Sequence, residues 1–218
     1  MAAHASSASA PTERATARDR ILDAADRLLG RYGYRKMTID DLAREAGIGK
    51  GTVYLSFASK ADVALACIDR MAARIRARLE AIAGEPAPVA DRVRRMLVAR
   101  VLDRFDYARG HSHSLDDLLA ALRPQLLTRR ARHFRAETAV LAGVLGEARV
   151  ADATGVAAAM IHAGNALLPY SLGARELGRR AEIARQADRI ARLVLFGALP
   201  RARATTLTRP ARARRRPS

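Results

Sequence analysis

The sequence contains little of what several protein classes require. It has a single cysteine, Cys67, so no disulfide can form within the chain. Aromatic residues make up only 4% of the 218 residues and tryptophan is absent, whereas alanine and leucine recur throughout. No apolar run reaches the roughly 18 residues of a membrane-spanning helix, because His162 and Asn165 interrupt the best candidate. The first seventeen residues lack the apolar core of a signal peptide. These absences favour a cytoplasmic protein whose helices pack through small side chains.

Negative charge is also scarce, and the positive charge is unevenly placed. Lysine and arginine together number 39 against 22 acidic residues, which gives a net charge of +17. The last eighteen residues contain no acid and seven arginines, namely Arg201, Arg203, Arg209, Arg212, Arg214, Arg215 and Arg216. Such a run is typical of a solvated, disordered tail, and its alternative role is non-specific attraction to DNA phosphates. The only lysines, Lys36, Lys50 and Lys60, fall within one 25-residue stretch, which is therefore the first candidate for function.

Two helices are predicted before and within this stretch. Helical periodicity of apolar residues begins at Arg18 and ends near Gly33, where glycine can adopt the left-handed geometry that closes a helix. Thr38 and Asp41 have the spacing of a capping box, in which each side chain binds a free backbone amide at the start of a helix. The sequence therefore predicts a short second helix after Thr38.

A tight turn and a third helix follow. The turn is formed by Gly47-Ile48-Gly49, and the third helix runs from Lys50 to Phe57 with Val53 facing inward beside Phe57. A second capping box at Ser59 begins a long fourth helix that reaches Gly84. A short helix, a turn with glycine and another short helix form the arrangement that places the last helix in a DNA major groove.

The segment from Tyr32 to Tyr54, YGYRKMTIDDLAREAGIGKGTVY, continued by Phe57 and Ser59-Lys60, resembles the helix-turn-helix of the tetracycline-repressor (TetR) family. The resemblance covers about residues 18 to 65. It implies a sequence-specific DNA-binding transcriptional regulator, more commonly a repressor, that a small-molecule effector releases from a palindromic operator. The implied DNA contacts are Thr38, Lys50, Gly51, Thr52, Tyr54, Leu55, Ser56 and Lys60.

Physical chemistry bears on several of these positions. Lys60 falls in the first turn of the fourth helix, where the macrodipole disfavours a cation, so a nearby phosphate would explain a placement that folding alone does not. Tyr54 is expected to face outward, because its neighbours define the inward face of the third helix. Leu55 and Ser56 lack the long donors that bind guanine or adenine, which favours an operator read partly through DNA shape.

The predicted fold is all-α, with an N-terminal three-helix domain and a C-terminal helical bundle for ligand binding and dimerisation. The predicted divisions are a disordered arm (1–17), a helix-turn-helix domain (18–65, motif about 38–57), a linking helix (66–84), an effector-binding and dimerisation domain (88–199) and a disordered arginine-rich tail (200–218). Within the C-terminal domain, helices are predicted from Val89 to Gly110, from a capping box at Ser114 to Leu127 with a kink at Pro124, and over 129–146, 152–168 and 181–196.

Dimerisation and effector binding are assigned to the C-terminal domain. Two alanine-rich helices, about 155–168 and 181–196, either form a four-helix bundle with their symmetry mates, as the family usually does, or pack only within their own subunit. The candidate effector pocket comprises Arg104, Tyr107, His111, Phe134, Met160, His162 and Asn165, with His113 and Tyr170 as further candidates. A small shift of the linking helix would change the separation of the two recognition helices and lower operator affinity.

Neither a cofactor nor a metal is predicted. His111 and His113 are not accompanied by a third ligand, and the sequence contains no glycine-rich phosphate loop and no nucleophile elbow. An enzyme is therefore disfavoured. The remaining alternative is a helix-turn-helix protein that packages DNA without sequence preference.

Overall fold

The computed structural model describes residues 9–168 and 179–198, and every regular element in these ranges is an α-helix. The helices are α1 (Ser9–Lys36), α2 (Ile39–Ala46), α3 (Lys50–Ser56), α4 (Lys60–Ala83), α5 (Val89–Gly110), α6 (Ser112–Glu147), α7 (Ala153–Asn165) and α8 (Arg180–Ala198). The all-α prediction is confirmed. Residues 1–8, Tyr170 and the predicted arginine-rich tail lie outside the described residues, as does the side chain of His113.

The first helix begins earlier than predicted. It starts at Ser9 rather than Arg18, so residues 9–17 of the predicted disordered arm are helical. Pro11 lies in the first turn, where its missing amide hydrogen removes no helical hydrogen bond, and its fixed φ suits a helix start. At Gly33 the backbone leaves helical geometry with φ 79° and ψ 168°, and the helix resumes to Lys36. Glycine thus breaks the helix as predicted, but through an extended ψ and a kink rather than a left-handed end.

The helix-turn-helix forms as its local signals predict. Thr38 Oγ1 accepts a hydrogen bond from the Asp41 amide at 3.1 Å, and the Thr38 amide donates to the Asp41 carboxylate at 3.3 Å. Gly47 ends α2 in the left-handed conformation, with φ 63° and ψ 42°. Because side chains with a Cβ rarely adopt this conformation, glycine allows the chain to turn directly into α3.

The fourth and fifth helices also agree with the sequence. The hydroxyl of Ser59 accepts from the Asp62 amide at 3.1 Å and begins α4. The Asp62 carboxylate accepts from the Ser59 hydroxyl rather than from its backbone amide, so the second capping box is only half formed. The break at residues 84–88 separates α4 from α5, as predicted.

The sixth helix corrects two predictions. It is one kinked helix of 36 residues, where the sequence predicted two, and it begins at Ser112 without a side-chain cap rather than at a capping box on Ser114. Its break lies at Leu122, with φ −125° and ψ 17°, two residues before Pro124. Proline lacks the amide hydrogen that continues the helical ladder and its ring crowds the preceding turn. The distorted backbone at Leu122 makes room for the Pro124 ring, so the helix continues after the proline instead of ending.

The two halves of the chain share α6. The core of α1, α2, α3 and the start of α4 also contains Leu118 and Leu122 of α6, which are 5% and 6% exposed. The remaining helices form a second core in which α5 packs against α8 and the later turns of α6 pack against α7. Burying each of these leucines stabilises the contact by roughly 1.5–3 kcal/mol. The helix-turn-helix is therefore anchored to the helix that also enters the C-terminal core.

Among the described residues, no single helix is both long and apolar enough to cross a bilayer. In the part of the chain that the structure describes, one pair of helices, α3 and α4 with a 60° bend between them, reaches the required length and hydropathy together. Their apolar residues, such as Val53, Val63 and Ile75, are buried in the two cores.

Candidate DNA-binding surface and ligand cavity

The outward face of α3 is the first candidate surface. Val53 is fully buried and Phe57 is 5% exposed, whereas Tyr54 is 50% and Leu55 82% exposed. The prediction that Tyr54 faces outward is confirmed. A leucine with most of its surface in water contributes little to folding, so this face is suited to contact a partner.

The other predicted contact residues of α3 differ in exposure. Lys50 pairs with Asp40 of α2 at 2.9 Å, and this hydrogen bond raises the pKa of the Lys50 ammonium. Both side chains are more than half exposed, so the pair is weak and the lysine can exchange its carboxylate for a phosphate. Gly51 is exposed, and apart from its chain neighbours and the backbone of its own helix no atom lies within 4 Å of the position that a Cβ would take. Thr52 and Ser56 are partly buried.

Lys60 has a structural role that the sequence did not reveal. Its ammonium donates to the carbonyl oxygens of Tyr34 at 3.1 Å and Arg35 at 3.3 Å, and lies 4.6 Å from the centre of the Tyr34 ring. These carbonyls belong to the end of α1, where the helix macrodipole favours a cation. The argument that folding alone does not explain Lys60 is therefore wrong. An ammonium has a third donor, so the phosphate contact stays a prediction.

Two arginines that sequence reasoning missed hold the helix-turn-helix together. Arg20 of α1 donates to the carbonyls of Ala46 and Gly47 at 2.6 and 2.9 Å, at the end of α2. Arg18 donates to the Ser56 carbonyl at 3.2 Å and lies 4.2 Å from the centre of the Phe57 ring. Both bind backbone carbonyls far along the chain, and no sequence spacing signals such a contact.

A cavity of about 300 Å³ lies between α4, α5 and α6. Four predicted effector residues line it, namely Arg104, Tyr107, His111 and Phe134. Apolar side chains form most of the remaining wall, namely Ile68, Met71, Ala72, Ala108, Leu118, Leu126 and Leu127. Its volume is at the lower end of the range for small-molecule sites.

The other three predicted pocket residues do not line this cavity. Met160 is fully buried in the C-terminal core, and Asn165 accepts a hydrogen bond from Arg100 at 3.0 Å. His162 is exposed and lines a second cavity of about 620 Å³ between α6 and α7. All three lie on α7, which packs against α5, α6 and α8. The sequence could identify polar residues on α7 but not the side of α6 against which that helix packs.

Three charged side chains form a buried network beside the cavity. Glu137 accepts from Arg100 Nε at 2.7 Å and from Arg104 Nη2 at 2.5 Å. The side chains of Arg100, Glu137 and Arg104 are only 0%, 1% and 7% exposed. One carboxylate therefore serves two guanidinium groups where water is largely excluded.

The cavity wall also contacts the N-terminal half of the chain. The Tyr107 hydroxyl donates to Asp26 of α1 at 3.1 Å, and burial beside this carboxylate raises the pKa of the tyrosine. His111 stacks on Tyr107 with ring centres 4.1 Å apart. Arg70 of α4 binds Asp26 at 2.6 Å and Asp23 at 2.7 Å. A group that enters the cavity beside Tyr107 would therefore act directly on a contact between α5 and α1.

Within the described residues, no group of three or more histidine, cysteine, aspartate and glutamate side chains is arranged to hold a metal ion. The carboxylate of Asp69 is paired with His133 at 2.7 Å and also with Arg129 and Arg132, which are not metal ligands of choice. Cys67 is 1% exposed, and burial raises the pKa of its thiol.

Comparison with known proteins finds similarity to bacterial regulatory proteins, mainly in the helix-turn-helix. Residues 21–67 match the family of bacterial regulatory proteins of the tetR family. The HTH-type transcriptional regulator EthR of Mycobacterium tuberculosis is 40% identical over 90 residues, which cover 38% of this chain and 42% of EthR. The matched stretch thus spans less than half the length of this curated relative.

Solved structures match nearly the whole fold at low identity. A transcriptional regulator from Cytophaga hutchinsonii is 16% identical with a TM-score of 0.69, over 84% of this chain and 98% of its own. A protein from Mesorhizobium loti described as a TetR-family transcriptional regulator is 19% identical with a TM-score of 0.65, over 86% and 98%. At this identity the likeness shows a shared fold.

Proposed function

We propose that the chain is a sequence-specific DNA-binding transcriptional regulator of the tetR family, because residues 21–67 match that family of bacterial regulatory proteins. We propose further that it acts as a repressor, released from a palindromic operator by a small molecule. The observation that carries the proposal is the outward face of α3, where Tyr54 and Leu55 are exposed beside Lys50 while Val53 and Phe57 fix the helix from behind. A helix held in this way can enter a major groove without rearranging the domain.

The proposed DNA contacts have different roles. Lys50, Thr52 and Lys60 supply ammonium and hydroxyl donors for phosphates, which fix the register of the protein on the duplex. The hydroxyl of Thr38 donates to the Asp41 carboxylate at 2.6 Å, so Thr38 caps α2 near the DNA backbone rather than donating to a phosphate. The absence of a side chain at Gly51 lets the backbone approach the DNA. Leu55 and Ser56 reach base edges, as a contact to a thymine methyl and as a short hydrogen-bonding group. Few direct hydrogen bonds to bases are available, so DNA shape contributes to specificity.

We also propose a homodimer through helices at about 155–168 and 181–196. The inward face of α8, which includes Ile183, Ala187 and Ala191, is buried within the subunit, so this face does not meet a partner. The outward face carries Leu193 and Phe196, which are 67% and 73% exposed. Pairing this face and the neighbouring small residues of α7 with a second copy covers both side chains. A twofold axis then presents two recognition helices to half-sites roughly 34 Å apart.

The proposed effector site is the cavity between α4, α5 and α6. It is bounded by α4, which links the two halves, and by Tyr107, which binds Asp26 of α1. A ligand that fits the cavity better in one arrangement of these helices shifts the population toward it. Because α3 moves with α1, this changes the separation of the two recognition helices and lowers operator affinity. We assign the chain no catalytic role, and we place its action in the cytoplasm, where its DNA is.

A competition experiment tests the proposed function. Purified full chain is titrated at physiological salt onto DNA from upstream of its own gene, with unrelated DNA of equal length as competitor. We expect selective binding that Tyr54→Ala reduces at least tenfold, because the tyrosine lies on the proposed contact face. Tyr32→Ala is the matched control, since Tyr32 is 51% exposed but lies on α1.

Two results would argue against the proposal. Equal binding to both DNAs would favour the alternative, non-specific DNA packaging, in which affinity follows phosphate number alone. Equal effects of the Tyr54 and Tyr32 substitutions would remove α3 as the recognition element.

A further inference from the structure

We propose that the cavity between α4, α5 and α6 binds an amphipathic monoanion, a carboxylate with an apolar body of about ten atoms, through the guanidinium of Arg104. The inference rests on the proposed function only in treating this cavity as the effector site. The binding chemistry itself follows from the residues of the cavity wall.

The described side chains of the wall include five basic residues and, apart from the phenol of Tyr107, no other ionisable group. Arg104, Arg123, Arg130, His111 and His133 line the cavity together with apolar side chains, and His133 is paired with Asp69 at 2.7 Å. In a partly closed cavity a basic wall attracts an anion and disfavours a charged amine. The apolar side chains of the wall favour binding of a hydrocarbon group. An amphipathic anion satisfies both parts of the wall.

Arg104 is the wall residue best placed to hold the anion. It is only 7% exposed, whereas Arg123 and Arg130 are exposed to solvent, which screens their charge. Its Nη2 is bound to Glu137, while its Nη1 has no hydrogen-bond partner within the part of the chain that the structure describes. A buried donor of this kind is unfavourable until an acceptor reaches it, and a carboxylate oxygen is a strong acceptor.

The state of the Arg104 guanidinium favours a ligand with one carboxylate. Its Nη2 already donates to Glu137, so Nη1 is the side of the group that a ligand can reach. A carboxylate oxygen can accept from Nη1, whereas an amine in its charged form has no acceptor and adds a positive charge.

The volume limits the size of the apolar body. At roughly 30 Å³ for each water-sized group, a cavity of about 300 Å³ holds about ten such groups. Decanoate is a suitable probe of this size, because 1-decanol and decylamine keep its chain and change only the charge of the head group.

The experiment is direct calorimetric titration of the full chain, without DNA, with decanoate, 1-decanol and decylamine. We expect decanoate to bind at least tenfold more tightly than either of the others. Arg104→Gln should weaken decanoate binding roughly ten- to hundredfold and leave 1-decanol binding unchanged, as expected for loss of a hydrogen bond to a charged group. Arg104→Gln retains the one-to-one pair of Arg100 and Glu137, so the fold should survive, and circular dichroism verifies it. Arg74→Gln removes the same charge from an exposed position of α4 and should change nothing.

Decanoate binding no tighter than 1-decanol, or equal decanoate binding by the wild type and Arg104→Gln, would overturn the inference. An unfolded Arg104→Gln chain would not stop the test, because the comparison of the three head groups is made on the unaltered protein. DNA binding is measured separately on the same preparation. Selective DNA binding without a preference for decanoate defeats this inference alone, whereas a preference for decanoate without selective DNA binding defeats the proposed function and leaves the ligand chemistry standing.

Discussion

Replacement of Glu137 by glutamine should destabilise the protein more than any other single change in the buried network. The carboxylate is 1% exposed and accepts from Arg100 at 2.7 Å and from Arg104 at 2.5 Å. Glutamine keeps the size of the side chain but removes its charge and turns an amide donor toward one of the guanidinium groups. Two nearly buried guanidinium groups then lose the carboxylate that they share.

The expected magnitude follows from the burial of all three groups. Removing one partner of a buried ion pair destabilises a protein by about 3–5 kcal/mol, and here a single substitution removes the partner of two arginines. For a chain of this length, each kcal/mol lowers the melting temperature by roughly 2–4 °C, which predicts a decrease of roughly 6–20 °C. Arg104→Met should lower stability by less than half as much, because Arg100 and Glu137 remain as a one-to-one pair.

The assay is urea unfolding monitored by far-ultraviolet circular dichroism, because helices dominate that signal in an all-α fold. Glu80→Gln is the surface control, since Glu80 is 54% exposed in an ion pair with Arg76 on the same helix, and it should change stability by less than about 0.5 kcal/mol. A loss of less than about 1 kcal/mol for Glu137→Gln, or a loss for Arg104→Met equal to that for Glu137→Gln, would refute the reasoning.

Three further predictions follow from individual contacts. Lys60→Met should lower the free energy of unfolding by about 1 kcal/mol, because its hydrogen bonds to the end of α1 are lost. It should also reduce the slope of log DNA affinity against log salt concentration by about one, the contribution of one phosphate contact. An unchanged slope would exclude the phosphate contact. Hydrogen bonds from Thr38 lower the pKa of Asp41 below its usual 3.8, so their stabilisation is present above that pH and is lost as the pH falls through the lowered folded-state value. Asp41→Asn should accordingly flatten the acid limb of a plot of unfolding free energy against pH, and an identical limb would contradict this. Burial raises the pKa of the Cys67 thiol, so iodoacetamide should label it only in denaturant, and rapid labelling of the native protein would show an open core.

Local signals accounted for the helix-turn-helix. The Thr38 capping box, the left-handed Gly47 and the inward spacing of Val53 and Phe57 each depend on residues within a few positions of one another. Such patterns can be read directly from a sequence, because the interactions they describe close within one helical turn. The outward face of α3 was predictable for the same reason.

Contacts between distant parts of the chain were not predictable. Glu137 pairs with Arg100 and Arg104 across 37 and 33 residues, and Lys60 reaches the end of α1 across 25 and 26 residues. The continuation of α6 past Pro124 likewise depends on packing at both of its ends rather than on local propensity. Only the folded arrangement shows that Arg104 and Tyr107 share a cavity while Asn165 lies outside it.

The most direct test of a sequence-specific, dimeric regulator is selection of bound sequences from random duplex DNA by the full chain, followed by sequencing. The account predicts enrichment of an inverted repeat whose half-sites are separated by about one helical turn, or a multiple of it, and loss of that enrichment in Tyr54→Ala. Binding that retains DNA over several rounds without enriching any motif would contradict the account and favour non-specific packaging.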